Sequence, residues 1–443
     1  MPLPELLVGH SQDPFHPGKP IGIVPDALRR HVATFGASGS GKSTLFRNAA
    51  ALLIASSNGC TIVDPHGQLV DEILENHIPR HRTNDVVYLN PKGQARAFAL
   101  NMLDCPRPEL RDLVVANAMT VFQKVWASAW GDRMADVLRN SLHILIEQPR
   151  PVSILAVTKL LTDRDFRAEA LAKATNPSAL EFFHNTFDRW SAAFREEAIS
   201  PVLNKIRAFA TNSLIRAVIG QTRTSIDFRR AMDERKIILC DLSKGAIGAP
   251  NAMLLGSVIV MMAKLAALSR SDIPESERVP HVLFAEEAQN YIGDFESILS
   301  ETRKFNLILA TAWQTAESLT RELAAAVFGN AGNLIAFRVS NSDAERLRDE
   351  FAAHFPGSAI QDLPDRTAYV RTLACDESGC RPAEVERVAI YAPCKTPDAE
   401  WRNKIERASN ERYTRPRADV DAEIARFLMS RPQEISTQRK NRN

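Results

Sequence analysis

Cysteine is scarce in this sequence. Only six cysteines occur among 443 residues, no two of them form a C-x-x-C pair, and no histidine lies near Cys375, Cys380 or Cys394 to complete a metal site. Clustered cysteines mark structural zinc sites and the disulfide frameworks of small secreted domains. The sequence therefore predicts free thiols in a reducing compartment, with Cys60 and Cys240 as small core residues.

An excess of charge of one sign is also missing. The 55 Lys and Arg residues nearly balance the 53 Asp and Glu residues, which leaves a formal net charge of +2. Any binding to nucleic acid must therefore come from a local basic surface and not from the charge of the whole protein. Hydrophobic residues make up 45% of the chain and charged residues 24%, as in an ordinary soluble globular protein.

No segment of the sequence is predicted to be a membrane-spanning run or a signal peptide. The most apolar helical stretch, Met253–Leu268, contains Lys264 and is too short to span a bilayer. The N-terminus offers only the apolar stretch Leu3–Val8, without the charged-then-apolar order of a signal peptide. We therefore expect a cytoplasmic protein with no membrane span of its own.

Strand patterns are missing from one long part of the chain. Between about Pro108 and Gln221 the periodicity is helical, whereas strands and helices alternate on both sides, which favours a parallel α/β sheet. The aromatic residues of the helical part are predicted to form its core. The domains predicted are an N-terminal lead (1–30), an α/β nucleotide-binding domain in two segments (31–107 and 222–396), an inserted all-α domain (108–221) and a charged C-terminal tail (397–443) whose end is disordered.

A glycine-rich motif is the most informative feature. Residues 36–44 match the phosphate-loop (P-loop) pattern G-x-x-x-x-G-K-[ST]. An apolar run, His31–Phe35, precedes the motif, and a stretch with helical spacing, Thr44–Ser56, follows it. In such a loop, backbone N–H groups and a helix N-terminus bind an anion, Lys42 reaches the terminal phosphates and the Ser43 hydroxyl binds Mg²⁺. The predicted nucleotide site consists of Gly36, Ala37, Ser38, Gly39, Ser40, Gly41, Lys42, Ser43 and Thr44.

A P-loop enzyme also needs acidic residues at a strand end that faces the metal and the attacking water. The apolar run His281–Ala285 ends in Glu286 and Glu287, and we assign Glu286 to the metal and Glu287 to the water. The alternative is that both are solvated glutamates at a helix N-terminus. Asp64 also ends an apolar strand, and it is either a secondary metal ligand or the cap of its own turn.

Three further polar residues stand near strand ends or between elements. Gln314 follows the strand around Leu307–Thr311, where an amide can sense the γ-phosphate. Arg303 and Arg338 are rival candidates for the arginine that stabilises phosphoryl transfer, a residue that a neighbouring subunit commonly supplies. Spacing alone does not choose between these two arginines.

The order of these motifs resembles that of the conjugative coupling-protein ATPases of type IV secretion systems, which belong to the HerA–FtsK class of hexameric motors. The resemblance covers about residues 20–425, and the helical block is similar to the all-α domain of that family. Its motifs in this sequence are Gly36–Thr44, Asp64–Gly67, Leu242–Gly245, Glu286–Asn290, Arg303–Lys304, Gln314, Phe328–Asn330 and Phe337–Val339 with Asp343–Ala344.

The resemblance implies a RecA-like P-loop NTPase whose mostly parallel sheet is flanked by helices and interrupted by an all-α domain. It implies ATP and Mg²⁺ as cofactors, a homo-hexameric ring, DNA as the translocated partner, and secretion-channel or relaxase proteins that bring the motor to the inner membrane. In this family Arg303 would act on the nucleotide of a neighbouring subunit, and Gln314 would couple hydrolysis to movement. Candidates for DNA contacts in the helical block are Arg133, Arg139, Lys205 and Arg207.

Two features depart from the family pattern. Asp-Glu is usual where this chain has Glu286-Glu287, and the extra methylene predicts weaker Mg²⁺ binding or slower turnover. Membrane-anchored coupling proteins carry N-terminal transmembrane helices, which we do not expect here. Two alternatives therefore stay open: a HerA-like DNA-processing or defence motor that works beside a nuclease, and a nucleotide-gated adaptor that recruits protein substrates with slow hydrolysis.

Overall fold

A computed structural model of the chain describes residues 2–14, 16–93, 95–105, 107–293, 295–317, 319–351, 360–392 and 398–430. Cys394 and the end of the tail that the sequence predicts to be disordered lie outside these residues. The strands are β1 (Leu6–Ser11), β2 (Pro20–Ile23), β3 (Val32–Phe35), β4 (Gly59–Asp64), β5 (Val86–Leu89), β6 (Arg96–Ala97), β7 (Ile237–Asp241), β8 (His281–Glu286), β9 (Leu307–Trp313), β10 (Asn333–Ala336), β11 (Thr367–Arg371), β12 (Leu373–Asp376), β13 (Gly379–Pro382), β14 (Glu386–Ile390) and β15 (Arg415–Pro416).

The α-helices alternate with the strands at both ends of the chain and follow one another in its middle. They are α1 (Pro25–Leu28), α2 (Lys42–Ala55), α3 (Gln68–Asn76), α4 (Arg111–Val125), α5 (Asp132–Ile146), α6 (Ala156–Thr162), α7 (Arg164–Leu171), α8 (Pro177–Glu181), α9 (Ala192–Thr211), α10 (Ser213–Ile219), α11 (Phe228–Asp233), α12 (Lys244–Ile247), α13 (Ala249–Leu268), α14 (Phe295–Glu301), α15 (Arg321–Asn330), α16 (Asn341–Phe351), α17 (Ala399–Tyr413) and α18 (Arg417–Met429).

One large sheet dominates the first of two compact units, which comprises residues 1–89, 228–245 and 266–409. Within the described residues it has eleven strands in the order β2-β1-β14-β11-β10-β3-β9-β8-β4-β7-β5. The pairs from β10 to β5 are parallel, and the pairs from β11 to β2 are antiparallel. The predicted α/β fold with a mostly parallel sheet is therefore confirmed.

The central strands are buried along their whole length. Every residue of β4, β7, β8 and β9 is buried. Near-continuous apolar runs of this kind are typical of parallel strands that are covered on both faces. The sheet therefore fixes the carboxyl ends of these strands rigidly, and those ends carry the predicted site residues.

The second compact unit comprises residues 90–227, 246–265 and 410–443 and is mostly helical. Its helices α4 to α10 lie in the predicted helical block, although the regular helix is interrupted between α8 and α9. A π-helical turn occupies Phe182–Thr186, and Trp190 is extended before the Ser191 hydroxyl caps α9. The domain boundaries given above remain a prediction.

Three expectations from the sequence were wrong in part. The N-terminal lead contains β1, which pairs with β14 and was not foreseen. Cys375 and Cys380 are not free thiols but form a disulfide across the β12–β13 hairpin, where they are directly opposite. The apolar helix is longer than expected, since Ala249–Asp272 is long and apolar enough to cross a membrane; 83% of its most apolar window is nevertheless buried, as in a core helix.

Candidate nucleotide site

The carboxyl ends of four adjacent parallel strands bring the predicted residues together. The P-loop follows β3, Gln314 follows β9, Glu286 ends β8 and Asp64 ends β4. The strand registers, which pair Phe35 with Trp313, Thr311 with Ala285 and Ala285 with Val63, align these ends. In open α/β sheets, ligands bind outside the carboxyl ends of the strands.

The P-loop backbone depends on its glycines. Gly39 and Gly41 have φ values of 78° and 123°, which side-chain-bearing residues rarely adopt. A Cβ added to Gly36 would lie 2.6 Å from the Ser40 Oγ and 2.7 Å from the Phe337 Cβ, so the loop has no room for a side chain there. A cavity of about 270 Å³ opens beside the loop, lined by Gly39, Gly41, Lys42, Ser43, Thr44, Arg47, His66, Gln68, Leu69, Glu72 and Glu286.

Lys42 holds the loop closed on itself. Its Nζ donates hydrogen bonds to the carbonyl oxygens of Gly36, at 2.6 Å, and Ala37, at 2.9 Å. Burial lowers the pKa of the Lys42 ammonium, and the charges of Glu286 and Glu287 oppose this shift. The ammonium group is therefore held by loop carbonyls and, among the described residues, forms no ion pair with a carboxylate.

Ser43 and Glu286 meet across the site. The Ser43 hydroxyl donates to the Glu286 Oε1 at 2.5 Å, and Glu286 is only 7% exposed. Burial, together with the charge of the nearby Asp64, raises the pKa of the Glu286 carboxyl to about 7. A hydroxyl and a carboxylate in contact at a buried strand end form the oxygen donor set that Mg²⁺ prefers.

Asp64 is fully buried at the end of β4. Its carboxylate accepts hydrogen bonds from the backbone N–H groups of His66, at 2.8 Å, and Val70, at 3.2 Å. Burial raises the pKa of Asp64, and these backbone donors oppose the rise. Asp64 therefore ties the turn after β4 to the first turn of α3 while it remains close to Glu286.

Glu287 has a strained backbone and a crowded carboxylate. Its φ and ψ of 50° and 47° are left-handed, a conformation that costs energy for glutamate and is frequent at functional sites. The carboxylate accepts hydrogen bonds from Asn290 Nδ2 (2.8 Å), His66 Nε2 (3.0 Å) and Lys244 Nζ. Burial alone would raise the pKa of Glu287, but the hydrogen bonds from Lys244 and His66 lower it overall, so Glu287 is an ionised acceptor.

The sequence did not single out His66 and Lys244 as site residues. Each follows a strand end, His66 after β4 and Lys244 after β7, and β4 and β7 are neighbours in the sheet. The signal was therefore present in the motifs Asp64–Gly67 and Leu242–Gly245, but the strand order that brings both to Glu287 is not visible in the sequence. Tyr291 also belongs to this cluster, since its hydroxyl donates to the Glu286 carbonyl.

Gln314 and the rival arginines are placed differently. The Gln314 amide donates to the Ser38 hydroxyl of the P-loop at 3.0 Å. Arg338 lies at the same edge of the sheet, where its carbonyl accepts from the Ala37 N–H (2.8 Å) and its guanidinium pairs with Asp365 (2.8 Å).

Arg303 lies elsewhere. It precedes the amino end of β9, whereas the P-loop lies at the carboxyl edge of the sheet. The seven residues of β9 separate the two edges by about 20 Å, so Arg303 does not reach the nucleotide site of its own chain.

Arg366 is a site residue that the sequence did not indicate. Its N–H donates to the Ser40 carbonyl at 2.8 Å, and its backbone lies 3.1 Å from where a Gly41 Cβ would be. Its side chain is exposed and its φ is 61°. The contact joins residues more than three hundred positions apart, so no local pattern could have revealed it.

The basic candidates of the helical unit are partly occupied. Arg133 pairs with Glu197 at 3.4 Å and lies over the Phe194 ring, and Lys205 lies over the Trp126 ring. Arg139 and Arg207 are exposed.

Among the described residues, no group of three or more His, Cys, Asp or Glu side chains could hold a metal ion by itself. A metal at the P-loop would therefore also need the Ser43 hydroxyl and oxygens of the bound nucleotide.

The structure is similar to solved structures of a plasmid coupling protein. TrwB in complex with a non-hydrolysable ATP analogue matches with a TM-score of 0.60 and 18% identity over 90% of this chain and 97% of that chain. TrwB with ADP and Mg²⁺ matches with the same score and identity over 87% and 89%. VirB4 of Thermoanaerobacter pseudethanolicus matches with a TM-score of 0.51 and 13% identity over 88% and 96%. At these identities the likeness shows the fold alone.

Comparison with protein families identifies the family of the chain, which the structural likeness does not. The model of the central domain of helicase HerA matches residues 17–246, which is more than half of the chain. None of the curated proteins matches the sequence. The match includes the P-loop, Asp64, His66 and Lys244, which meet at one edge of a RecA-like sheet. The chain therefore belongs to the HerA central-domain family and is a P-loop ATPase.

Proposed function

We propose that this protein is a ring-forming ATPase that moves DNA, in conjugative or type IV secretion transfer. One observation carries the proposal: the ends of β8 and β9 both contact the P-loop, through Ser43 with Glu286 and through Ser38 with Gln314. A change in the phosphates at the loop would therefore be transmitted to two central strands. The family membership and the TrwB-like fold support the proposal that this change drives a motor.

The residues present fit ATP and Mg²⁺. Ser43 and Glu286 would hold the ion, with Asp64 behind them, and a buried carboxyl whose pKa is raised to about 7 is a group that gains from a cation. Mg²⁺, when bound, neutralises charge on the phosphates. The longer side chain of Glu286 does not prevent contact, since its oxygen reaches the Ser43 hydroxyl.

The other residues have separate tasks in this proposal. Lys42, which now contacts two loop carbonyls, would bind the phosphate oxygens of the nucleotide. Glu287, ionised and held by Lys244, His66 and Asn290, orients the attacking water. Gln314 reports the state of the phosphates to β9 through the loop.

Arg303 supplies its charge to a neighbouring subunit. It is exposed at the amino edge of the sheet, away from its own P-loop, and it can meet a nucleotide only if subunits pack head to tail. Head-to-tail contacts that close form rings. We therefore propose a homo-oligomeric ring, a hexamer in this family, with DNA in its centre, located in the cytoplasm and brought to the inner membrane by secretion-channel or relaxase proteins.

The HerA family match favours a second candidate of the same class, a DNA-processing or defence motor that works beside a nuclease. ATP turnover of the purified chain, measured with and without single- and double-stranded DNA and together with the mass of the assembly, tests both candidates. DNA-stimulated turnover by an oligomer supports a motor. Nucleotide binding with slow turnover that no DNA stimulates contradicts it and supports the adaptor alternative. Co-purification with a relaxase or with a nuclease then separates the two motors.

A further inference from the structure

The helical unit contains a second cavity that the proposed function does not use. Its volume is about 630 Å³, more than twice that of the cavity at the P-loop. Helix α7 forms one wall, and the chain around the π-helical turn and the start of α9 forms the other. The lining residues that matter here are Arg164, Arg167, Arg195, His184, Asp188 and Leu171.

The cavity has an excess of positive charge. Three guanidinium groups line it, and Asp188 is the one carboxylate among the lining residues of the described chain. Arg167 is only 5% exposed and contacts Asp188 at 3.5 Å and the Leu160 carbonyl at 3.1 Å. Burial lowers the pKa of Arg167, the charges of Asp188 and Asp163 oppose this, and the charges of Arg195 and Arg164 lower it further. The arginines therefore repel one another, and the cavity lining itself carries three guanidinium groups against one carboxylate.

Two of the arginines are held rigidly. Arg167 and Arg195 both lie over the Phe187 ring, with guanidinium carbons 5.1 Å and 5.2 Å from its centre. Arg195 donates to the carbonyls of Asp188 and Trp190, yet its Nε is buried and has no hydrogen-bond partner among the described residues. Unsatisfied buried donors on fixed guanidinium groups are costly unless an acceptor completes them.

The third arginine is free to move. Arg164 is exposed at the start of α7, and no hydrogen bond or ion pair of its side chain is found in the described part of the chain. On the same wall as Arg164 and Arg167, the side chains of Ala168, Leu171 and Ala172 give α7 a partly apolar surface. The cavity thus offers fixed N–H donors, one mobile cation and an apolar surface.

We propose that this pocket binds the phosphate of a nucleotide unit, with the guanidinium groups on the phosphate and the sugar or base against the α7 wall. Arginine is suited to phosphate because its planar fork donates two parallel hydrogen bonds. The nucleotide unit belongs either to a DNA strand or to a free nucleotide. The first source rests on the proposed function, and the second does not.

The test uses the full-length chain with Lys42→Ala, so that binding at the P-loop does not dominate. A labelled oligothymidylate and free dTMP are titrated against this protein and against the same protein with Arg164→Gln. We expect about a ten- to hundredfold loss of affinity for the oligonucleotide, the size of one charged hydrogen bond. The slope of log K against log salt should fall by about one.

Two matched variants sharpen the result. Lys173→Gln removes the same charge two residues beyond α7, from a side chain that pairs with Glu169 and does not line the pocket, and it should leave affinity unchanged. Asp188→Asn removes the opposing charge and should tighten binding. Equal effects of Arg164→Gln and Lys173→Gln, or weaker binding by Asp188→Asn with an unchanged melting temperature, would overturn the proposal.

The sources are separated by the same titrations. Arg164-dependent binding of the oligonucleotide supports a strand contact, and Arg164-dependent binding of dTMP alone supports a free nucleotide. Binding of neither probe overturns the site. If the wild-type chain shows no ATP turnover but the Lys42→Ala protein binds a probe in an Arg164-dependent way, the pocket is supported and the motor is contradicted. The two proposals therefore fail independently.

Discussion

The side-chain amide of Gln314 donates a hydrogen bond to the hydroxyl of Ser38, 3.0 Å away. The bond joins the end of β9 to the middle of the P-loop. We expect Gln314→Ala to lower DNA-stimulated turnover about tenfold, because loop movement no longer reaches the strand, while affinity for ATP changes little. Ser38→Ala removes the acceptor and keeps the amide, so it should have a smaller effect in the same direction. Full stimulation of ATP turnover by DNA in Gln314→Ala would show that this residue does not couple the P-loop to β9.

Lys42→Ala should abolish hydrolysis, since it removes the ammonium group that now contacts the carbonyls of Gly36 and Ala37 in the loop. Phosphate release under saturating ATP measures this. Because Lys42 is partly buried, circular dichroism and the melting temperature must show that the variant is folded. Turnover above a tenth of the wild-type rate in a folded variant would place the phosphates elsewhere.

Glu287→Gln should bind ATP and leave it uncleaved. The amide keeps the size of the side chain and loses the charge that Lys244 and His66 stabilise. Filter binding of labelled ATP and the product formed in a single turnover give the two quantities. Glu72→Gln is a suitable control, because Glu72 lines the cavity and pairs with Arg47 but does not end a strand. Hydrolysis at the normal rate in Glu287→Gln would show that another acidic residue orients the attacking water.

Mixing two inactive proteins tests whether the site is shared. Arg303→Ala and Lys42→Ala subunits should each be inactive alone, and together they should recover part of the activity at interfaces where intact partners meet. The reason is that Arg303 lies at the edge of the sheet opposite to its own P-loop. If no activity returns although the oligomer forms, Arg338 or Arg366, which both lie at the carboxyl edge, becomes the candidate within one chain.

Acid should destabilise the sheet through two buried histidines. Burial lowers the pKa of His31 from 6.5 to about 4 and that of His281 to about 3. His31 accepts from the Leu309 N–H at Nδ1 and contacts the Leu299 carbonyl through Nε2, a pattern that suits the neutral ring. Since the folded state holds fewer protons, the stabilisation is complete above pH 6.5 and is lost as the pH falls towards 4.

The expected size is about 2 kcal/mol per histidine between pH 7 and pH 5, from 1.36 kcal/mol per pH unit. Urea unfolding at several pH values measures it. His281→Asn keeps a partner for the Thr61 hydroxyl and should flatten the acid slope, whereas the same change at the exposed His16 should not. An unchanged slope in His281→Asn would show that other groups cause the acid sensitivity.

Much of the fold could be predicted because the parallel strands are buried on both faces. Such strands read as unbroken apolar runs that end in a polar residue, as β4 ends in Asp64 and β8 in Glu286. The P-loop adds a pattern that few other structures share. These signals are local, so a reader of the sequence finds them without knowing the strand order.

What could not be predicted depends on long-range contacts. β1 was missed because its partner β14 is nearly four hundred residues away in the sequence. In addition, the side chains of β1 alternate between buried and exposed only in part. Lys244, His66 and Arg366 reach the site through strand order and turns. The disulfide between Cys375 and Cys380 was missed because it depends on the register of the β12–β13 hairpin, which places the two residues opposite each other. Their spacing in the sequence does not reveal that register.

The separation of Arg303 from its own P-loop has a consequence for mixed populations of subunits. In the proposed ring, a protomer that lacks this arginine would keep its own nucleotide site intact and disable the site of its neighbour. In a cell that expresses normal and altered copies together, the altered copies would silence healthy neighbours, so such a mutation would be inherited as dominant although the mutant protein binds its own ATP normally.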